Sequence, residues 1–274
     1  MAWCRWWWLC WYCCCWLLTS FGHASPVYQI FHNPTDGPFQ RMVVERLYTG
    51  RVYVAGVNRL YQLNSNLLLQ SQVETGPARD GTICADDPVC DPRTGLSDNY
   101  NKALTIYHKQ TKLIVCSSLY DGHCRLRNLY NISVVDDRVL DQNVVSGDPV
   151  ASAVLFVNKG PNDEDVLYVG RTGKPGNSDR LTAVKTLSLH RDELFNSIYN
   201  SESSLVYYTD LEMHRVDYVY GFGSGNFSYF ITKQPKLPGG RTPYISKLVR
   251  LCNRDPHYYS YTEVPLECID DHNG

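Results

Sequence analysis

The chain has 274 residues, 26 Lys and Arg against 28 Asp and Glu, a formal net charge of −2 and 43% hydrophobic residues. A near-balance of charge without long runs of one sign argues against a nucleic-acid partner, because phosphate contacts require a basic face. A chain of this length that closes on itself buries about 70 to 75% of its unfolded surface, enough for a large core.

The first segment reads as a targeting signal. Trp6 to Leu18 is an apolar run of 13 residues behind the single charge of Arg5, and Gly22-His23-Ala24 places small residues before a cut. Residues 1–24 are therefore expected to be a signal peptide, leaving 25–274 as one domain. The competing reading is a retained anchor palmitoylated at Cys10, Cys13, Cys14 and Cys15, but a spanning helix wants about 20 apolar residues. All six Trp and five of the eleven Cys fall in this leader. What remains has six cysteines, no tryptophan, and 25 basic against 28 acidic residues.

Val27 to Phe31 is a short β-like run, and Arg41 to Tyr48 alternates well enough to be a strand. Val52 to Asn64 is the clearest signal in the chain: two β-rich runs around a tight Ala-Gly-Val-Asn-Arg turn, which predicts a hairpin. The Gly, Pro and Asp residues of Thr75 to Ser97 mark a long exposed loop. Asn99 to Leu129 predicts three strands, Ala151 to Val157 opens a further group, and Lys159 to Asp165 is an acidic turn. Arg191 to Tyr199 is expected to form one short helix. Ser204 to Asp210, His214 to Gly221, Asn226 to Gln234 and Ile245 to Leu251 are strand candidates rich in Tyr, Val and Ile. Apolar runs starting near Val52, Lys112, Val166 and Tyr229 recur at the spacing of a four-stranded sheet with generous loops. The fold class is all-β, and the recurrence suggests a β-propeller with long, irregular blades.

Behind a signal peptide, six cysteines read as a disulfide framework rather than as metal or redox ligands. Cys84 and Cys90 share one loop, and Cys116 and Cys124 flank a polar turn between two strand-like runs, so a local bridge is open to each pair. Cys252 and Cys268 differ. His257 to Glu263 looks like a strand that holds them apart, so each is expected to bond a cysteine outside this chain. Asn131-Ile-Ser133 and Asn226-Phe-Ser228 are N-glycosylation candidates.

Several patterns lack the context their chemistry needs. Gly221-Phe-Gly-Ser-Gly225 breaks the dinucleotide pattern at Asn226 and reads as a turn or bulge. Gly170 to Lys174 is too short for a phosphate loop and reads as a turn. Asn162 to Asp165 and Asp86-Asp87 lack calcium-loop spacing, and Cys252 with His257 lacks the second pair zinc requires. No cofactor and no catalytic residue is expected. An enzyme of this architecture would need inward-facing carboxylates around a central channel.

The chain resembles the semaphorin-type propeller and, within it, the plexins. Val52 to Asn64 is similar to the plexin first-blade hairpin, with Ala-Gly where the family commonly has Gly-Ala, and Val73-Glu-Thr-Gly-Pro77 resembles the segment just after that hairpin. Asp98 to Lys102 with Cys116 to Cys124 resembles the second blade, and Tyr218 to Phe222 with Tyr229 to Thr232 a later one. Lys247 to Cys252, Asp255 to Tyr261 and Pro265 to Cys268 carry the most specific likeness, and the A class is favoured.

The resemblance implies a seven-bladed propeller of which this chain supplies about four blades. It also implies Cys84–Cys90 and Cys116–Cys124 bridges, and bonds from Cys252 and Cys268 to later blades. Its function would be that of the ligand-binding segment of a cell-surface semaphorin receptor, on the extracellular face of the plasma membrane. The partners would be a semaphorin and, through a dimeric ligand, a second receptor chain or a co-receptor. A secreted semaphorin-like ligand or decoy is the alternative. Expressed alone, an incomplete ring is expected to aggregate or be held in the secretory pathway.

Overall fold

A computed structural model describes residues 29–33, 37–80, 95–136, 144–172, 184–198, 215–236 and 243–267. Met1–His32 separates from Asn33–Gly274 as a unit of its own. Residues 1–24, expected to be a leader, lie outside the described residues. Of the expected Val27 to Phe31 strand, residues 29–31 are described and form no strand, with Ile30 exposed.

The second unit is built from antiparallel sheets in chain order. The first holds β1 (Phe39–Val44), β2 (Val52–Gly56), β3 (Arg59–Leu63) and β4 (Leu69–Glu74). A short pair, β5 (Ala78–Arg79) with β6 (Leu96–Ser97), comes next. The second sheet is β7 (Asn101–Tyr107), β8 (Lys112–Ser117) and β9 (Cys124–Asn128), and the third is β10 (Ala153–Lys159), β11 (Asp165–Arg171) and β12 (Val184–Ser188). The fourth is β13 (Asp217–Ser224), β14 (Phe227–Pro235), β15 (Tyr244–Cys252) and β16 (Thr262–Leu266). In each sheet the strands run in sequence order, as short hairpin connections dictate.

Consecutive sheets stack face to face. Tyr53, Ala55 and Leu60 of the first meet Ile106, Leu113 and Val115 of the second. The other face of β8, with Ile114 and Cys116, joins Leu155, Leu167, Val169 and Leu187 of the third. Val166, Tyr168 and Phe156 then meet Tyr218, Phe230, Val249 and Leu251 of the fourth. This stacking explains why Leu113 to Cys116 and Val166 to Val169 are unbroken apolar runs: successive side chains point to opposite faces, and both faces are covered. Each such side chain contributes about 1.5–3 kcal/mol of burial. The opening strands of the four sheets also lie beside one another, β1 against β7, β7 against β10, and β10 against β13. That succession is the arrangement of propeller blades about an axis.

Four expectations need correction. The Arg191 to Tyr199 helix reduces to a single 3-10 turn, Arg191–Glu193. Beyond it the chain joins the edge of the third sheet: Phe195 N–H donates to Ser188 O at 2.8 Å, Ser188 N–H donates to Asn196 O at 2.8 Å, and Leu187 bridges Ser197. Burying Phe195 completely outweighs helical propensity there. Of the Gly221 to Gly225 run, Gly225 with Asn226 makes the hairpin turn, but Gly221 and Gly223 are strand residues, since both pair with β14. A Cβ on Gly221 would lie 2.7 Å from the Phe156 ring and one on Gly223 would lie 2.5 Å from Asn158, so these glycines admit the third sheet. Gly170 likewise belongs to β11, where a Cβ would meet Tyr218 at 2.3 Å. Finally, residues 253–261 are turns, and only Thr262 and Glu263 of the expected His257 to Glu263 strand belong to β16.

Candidate recognition surface

Val57 and Asn58 form the tip of the first hairpin, because Gly56 pairs with Arg59. Asn58 adopts φ 61°, a conformation asparagine tolerates, and residues 98–99 clasp it. Its Nδ2 donates to Asp98 Oδ1 at 2.7 Å, and its Oδ1 accepts from Asn99 N–H at 2.6 Å.

The same segment continues to the turn between β8 and β9, where Tyr100 N–H donates to Ser118 Oγ at 3.0 Å. Cys116 and Cys124 are register partners and form a disulfide, with Cα atoms 4.0 Å apart. Between them Tyr120 (φ 53°, ψ 47°) and Asp121 (φ 55°, ψ 31°) are left-handed, and Gly122 is next at φ 87°. Left-handed backbone costs about 1–2 kcal/mol per L-residue, so the turn is held by its surroundings. Tyr120 N–H donates to Asp80 Oδ1 at 2.8 Å and Val145 N–H to Gly122 O at 3.0 Å. The His123 ring packs edge-on to Tyr120 at 5.0 Å.

His123 is held as a neutral imidazole. Burial lowers its pKa, with the bond to Leu119 opposing and Arg125 adding to the effect. Arg125 Nε donates to His123 Nε2 at 3.2 Å, which leaves Nδ1–H to donate to Leu119 O at 2.8 Å. Arg127, two residues on, is buried, and its Nη1 donates to Ile132 O at 2.8 Å. Burial first, and Arg125 second, push its pKa down to about 10. Beneath the turn lies a cleft of about 220 Å³ between the first and second sheets, lined by residues that include Glu74, Asn99, Asn101, His123, Arg125 and Arg127.

The remaining sequence candidates fall elsewhere. Cys84, Cys90 and Cys268 lie outside the described residues, as do Asp86 and Asp87. Cys252 is half-buried at the end of β15 and bonds no cysteine among the described residues. Antiparallel pairing sets Leu266 opposite Ser246, six residues and about 20 Å of strand from Cys252, so the β15–β16 register separates the two ends. Asn131 and Asn226 are both exposed, on the turn after β9 and on the β13–β14 hairpin tip. Ser228 of the second sequon is fully buried, between Asn158 Nδ2 and Asn253 Oδ1, each at 2.9 Å.

The acidic turn is ion-paired, not open for a cation: Asp165 takes Lys159 at 2.9 Å and Lys109 at 3.4 Å. Among the described residues no three metal-ligating side chains lie together, and no helix is long and apolar enough to cross a membrane. The fourth sheet keeps one apolar face outward, with Tyr220, Tyr244, Val264 and Leu266 all exposed.

Stacked sheets with adjoining opening strands, a disulfide-pinned turn in the second and an aromatic fourth sheet define a β-propeller segment. No family model matches the chain. It is 31% identical to plexin-A2 of Mus musculus over 278 residues, which is 92% of this chain and 15% of that relative. A solved plexin A4 extracellular region superposes with a TM-score of 0.69 at 31% identity, over 85% of this chain and 28% of that one. Drosophila semaphorin 2a shares the fold at a TM-score of 0.51 and 16% identity, over 80% of this chain and 38% of that one. The chain belongs to the plexin family, and its similarity to plexins A2, A3 and A4 favours the A class. It spans about a seventh of the length of the plexin-A2 it matches.

Proposed function

We propose that this segment is a protein-recognition module, the semaphorin-binding part of a plexin-type receptor, displayed outside the cell after passage through the secretory pathway. The observation that carries this reading is the stacked-sheet succession shared with the plexin A4 extracellular region. Strands already fixed by pairing and stacking present a preformed surface, so little entropy is lost on contact. A dimeric ligand would bring two such chains together and raise avidity through effective concentration.

Residues 1–24 would supply the secretory signal. Cys84–Cys90 and Cys116–Cys124 would pin their loops, Cys252 and Cys268 would bond cysteines beyond this segment, and glycans at Asn131 and Asn226 would mark surface. No catalytic role is assigned. The secreted-ligand alternative is disfavoured by identity, 31% to plexins against 16% to semaphorin 2a.

The test is surface plasmon resonance of the complete product of this transcript against a panel of semaphorin ectodomains. Saturable binding to one or more of them is expected. Absence of binding across the panel by a folded product refutes the reading.

A further inference from the structure

The cleft beneath the β8–β9 turn is lined mainly by polar side chains, some of which, such as Asn101, tie the first two sheets together while others face its open space. His123, just before β9, and Arg125 and Arg127 on it alternate and line the cleft, while Cys124 and Leu126 between them point into the core against the third sheet. Arg127 is 6% exposed, and its Nε has no hydrogen-bond partner. Among the described residues neither Arg125 nor Arg127 has a carboxylate within ion-pairing distance. The nearby acids are engaged: Glu74 pairs with Arg59 at 3.3 Å, Asp80 accepts from Tyr120, and Asp98 accepts from Asn58.

A buried guanidinium without a counter-charge is costly, and here a second guanidinium stands beside it. The same cleft carries two buried acceptors without donors, Asn99 Oδ1 and Asn101 Oδ1. Each asparagine's amide nitrogen is already committed, to Thr75 O at 2.8 Å and Gly56 O at 2.6 Å, which fixes the orientation of the oxygens. A single water requires about 10–15 Å³ of such space, so about 220 Å³ holds a polyatomic ion together with water.

We propose that the cleft beneath the Cys116–Cys124 turn is an anion-binding site that takes one compact oxyanion, a carboxylate, sulfate or phosphate group, against Arg127 with Arg125 at the rim. The planar fork of Arg127 suits an oxyanion. Asn99 and Asn101 accept from a hydroxyl, an N–H or a water carried beside it. With His123 neutral and its Nε2 occupied, the positive charge of the site comes from the two arginines.

Isothermal titration of the whole chain with sodium sulfate, sodium phosphate and N-acetylglutamate, at ionic strength held constant with chloride, tests this. One-site, saturable binding of at least one probe is expected, with a rise in melting midpoint of roughly 5 °C at a hundredfold excess over Kd. Preference for N-acetylglutamate identifies a carboxylate source, and preference for sulfate or phosphate identifies a tetrahedral anion. Arg127→Gln should weaken binding at least tenfold, and Arg125→Gln, at an exposed position, about threefold without loss of fold. No saturable binding of any probe, or equal binding by Arg125→Gln and the parent, overturns the proposal.

Discussion

Gly122 lies where two demands coincide, and replacing it by alanine separates them. Its φ of 87° is left-handed, which costs an L-residue about 1–2 kcal/mol. An added Cβ would also lie 1.9 Å from Val145 O, a backbone atom that moves only with its segment. Moving that segment displaces the 3.0 Å hydrogen bond from Val145 N–H to Gly122 O, a further loss of about 0.5–1.5 kcal/mol. Gly122→Ala is therefore expected to cost about 2–4 kcal/mol, the upper end reflecting imperfect repacking. Gly225 provides the control. It is also left-handed, at φ 56°, but nothing lies within 4 Å of its added Cβ, so Gly225→Ala should cost only the conformational part, about 1 kcal/mol. Urea unfolding of both variants and the parent gives the difference directly. Equal destabilisation of the two, or a Gly122→Ala loss under about 0.5 kcal/mol, refutes the claim that the turn is seated against residues 145–146.

Two further outcomes are expected. Lys102 is buried, with Nζ donating to Asp148 O at 2.8 Å and Pro149 O at 2.7 Å; burial, then Arg41, lowers its pKa to about 8, with Asp148 opposing and Arg215 adding. Between that value and 10.5 the unfolded chain holds more protons, so stability rises with pH; the rise from pH 7.5 to 9.5 should be about 2 kcal/mol and absent in Lys102→Met. Parallel urea curves at the two pH values check it, and a rise of equal size in the variant contradicts it. Ser228→Ala should cost about 1–3 kcal/mol by removing the buried hydroxyl that accepts from Asn158 and donates to Asn253, whereas Asn226→Gln, which also removes the sequon, should leave stability within about 0.5 kcal/mol. Increased gel mobility of Asn226→Gln from secretory cells would show that the site carries glycan.

How much of the fold is legible in the sequence depends on the range of the interactions. The Val52 to Asn64 hairpin is local: two β-rich runs and a two-residue tip specify each other. Lys112 to Cys116 and Val166 to Gly170 are legible as strands because two covered faces require unbroken apolar runs. The spacing of such runs carries the number of sheets. The glycines at 170, 221 and 223 read as turn or bulge residues, not as strand, because their role depends on partners far along the chain, Tyr218 for the first and Phe156 and Asn158 for the others. Likewise, Arg191 to Tyr199 reads as a short helix, but a neighbouring strand edge offers hydrogen bonds and a slot for Phe195. In the cleft, His-Cys-Arg-Leu-Arg alternates plainly at two-residue spacing, which marks β9 as two-faced. Nothing in that pattern shows that the basic face is covered by the first sheet, so Arg127 reads as solvated until the sheets are stacked.

The face-to-face succession of sheets has a mechanical consequence. Each sheet draws its cohesion from those on either side, so free energy is distributed like tension along a row of magnets rather than pooled in a single reservoir. Fraying at the aromatic flank of the fourth sheet would loosen the Phe230 cluster first and leave the Leu113 cluster intact. Amide protection should then decline in steps along the row, and a lesion in one layer should be felt by its immediate neighbour and little further.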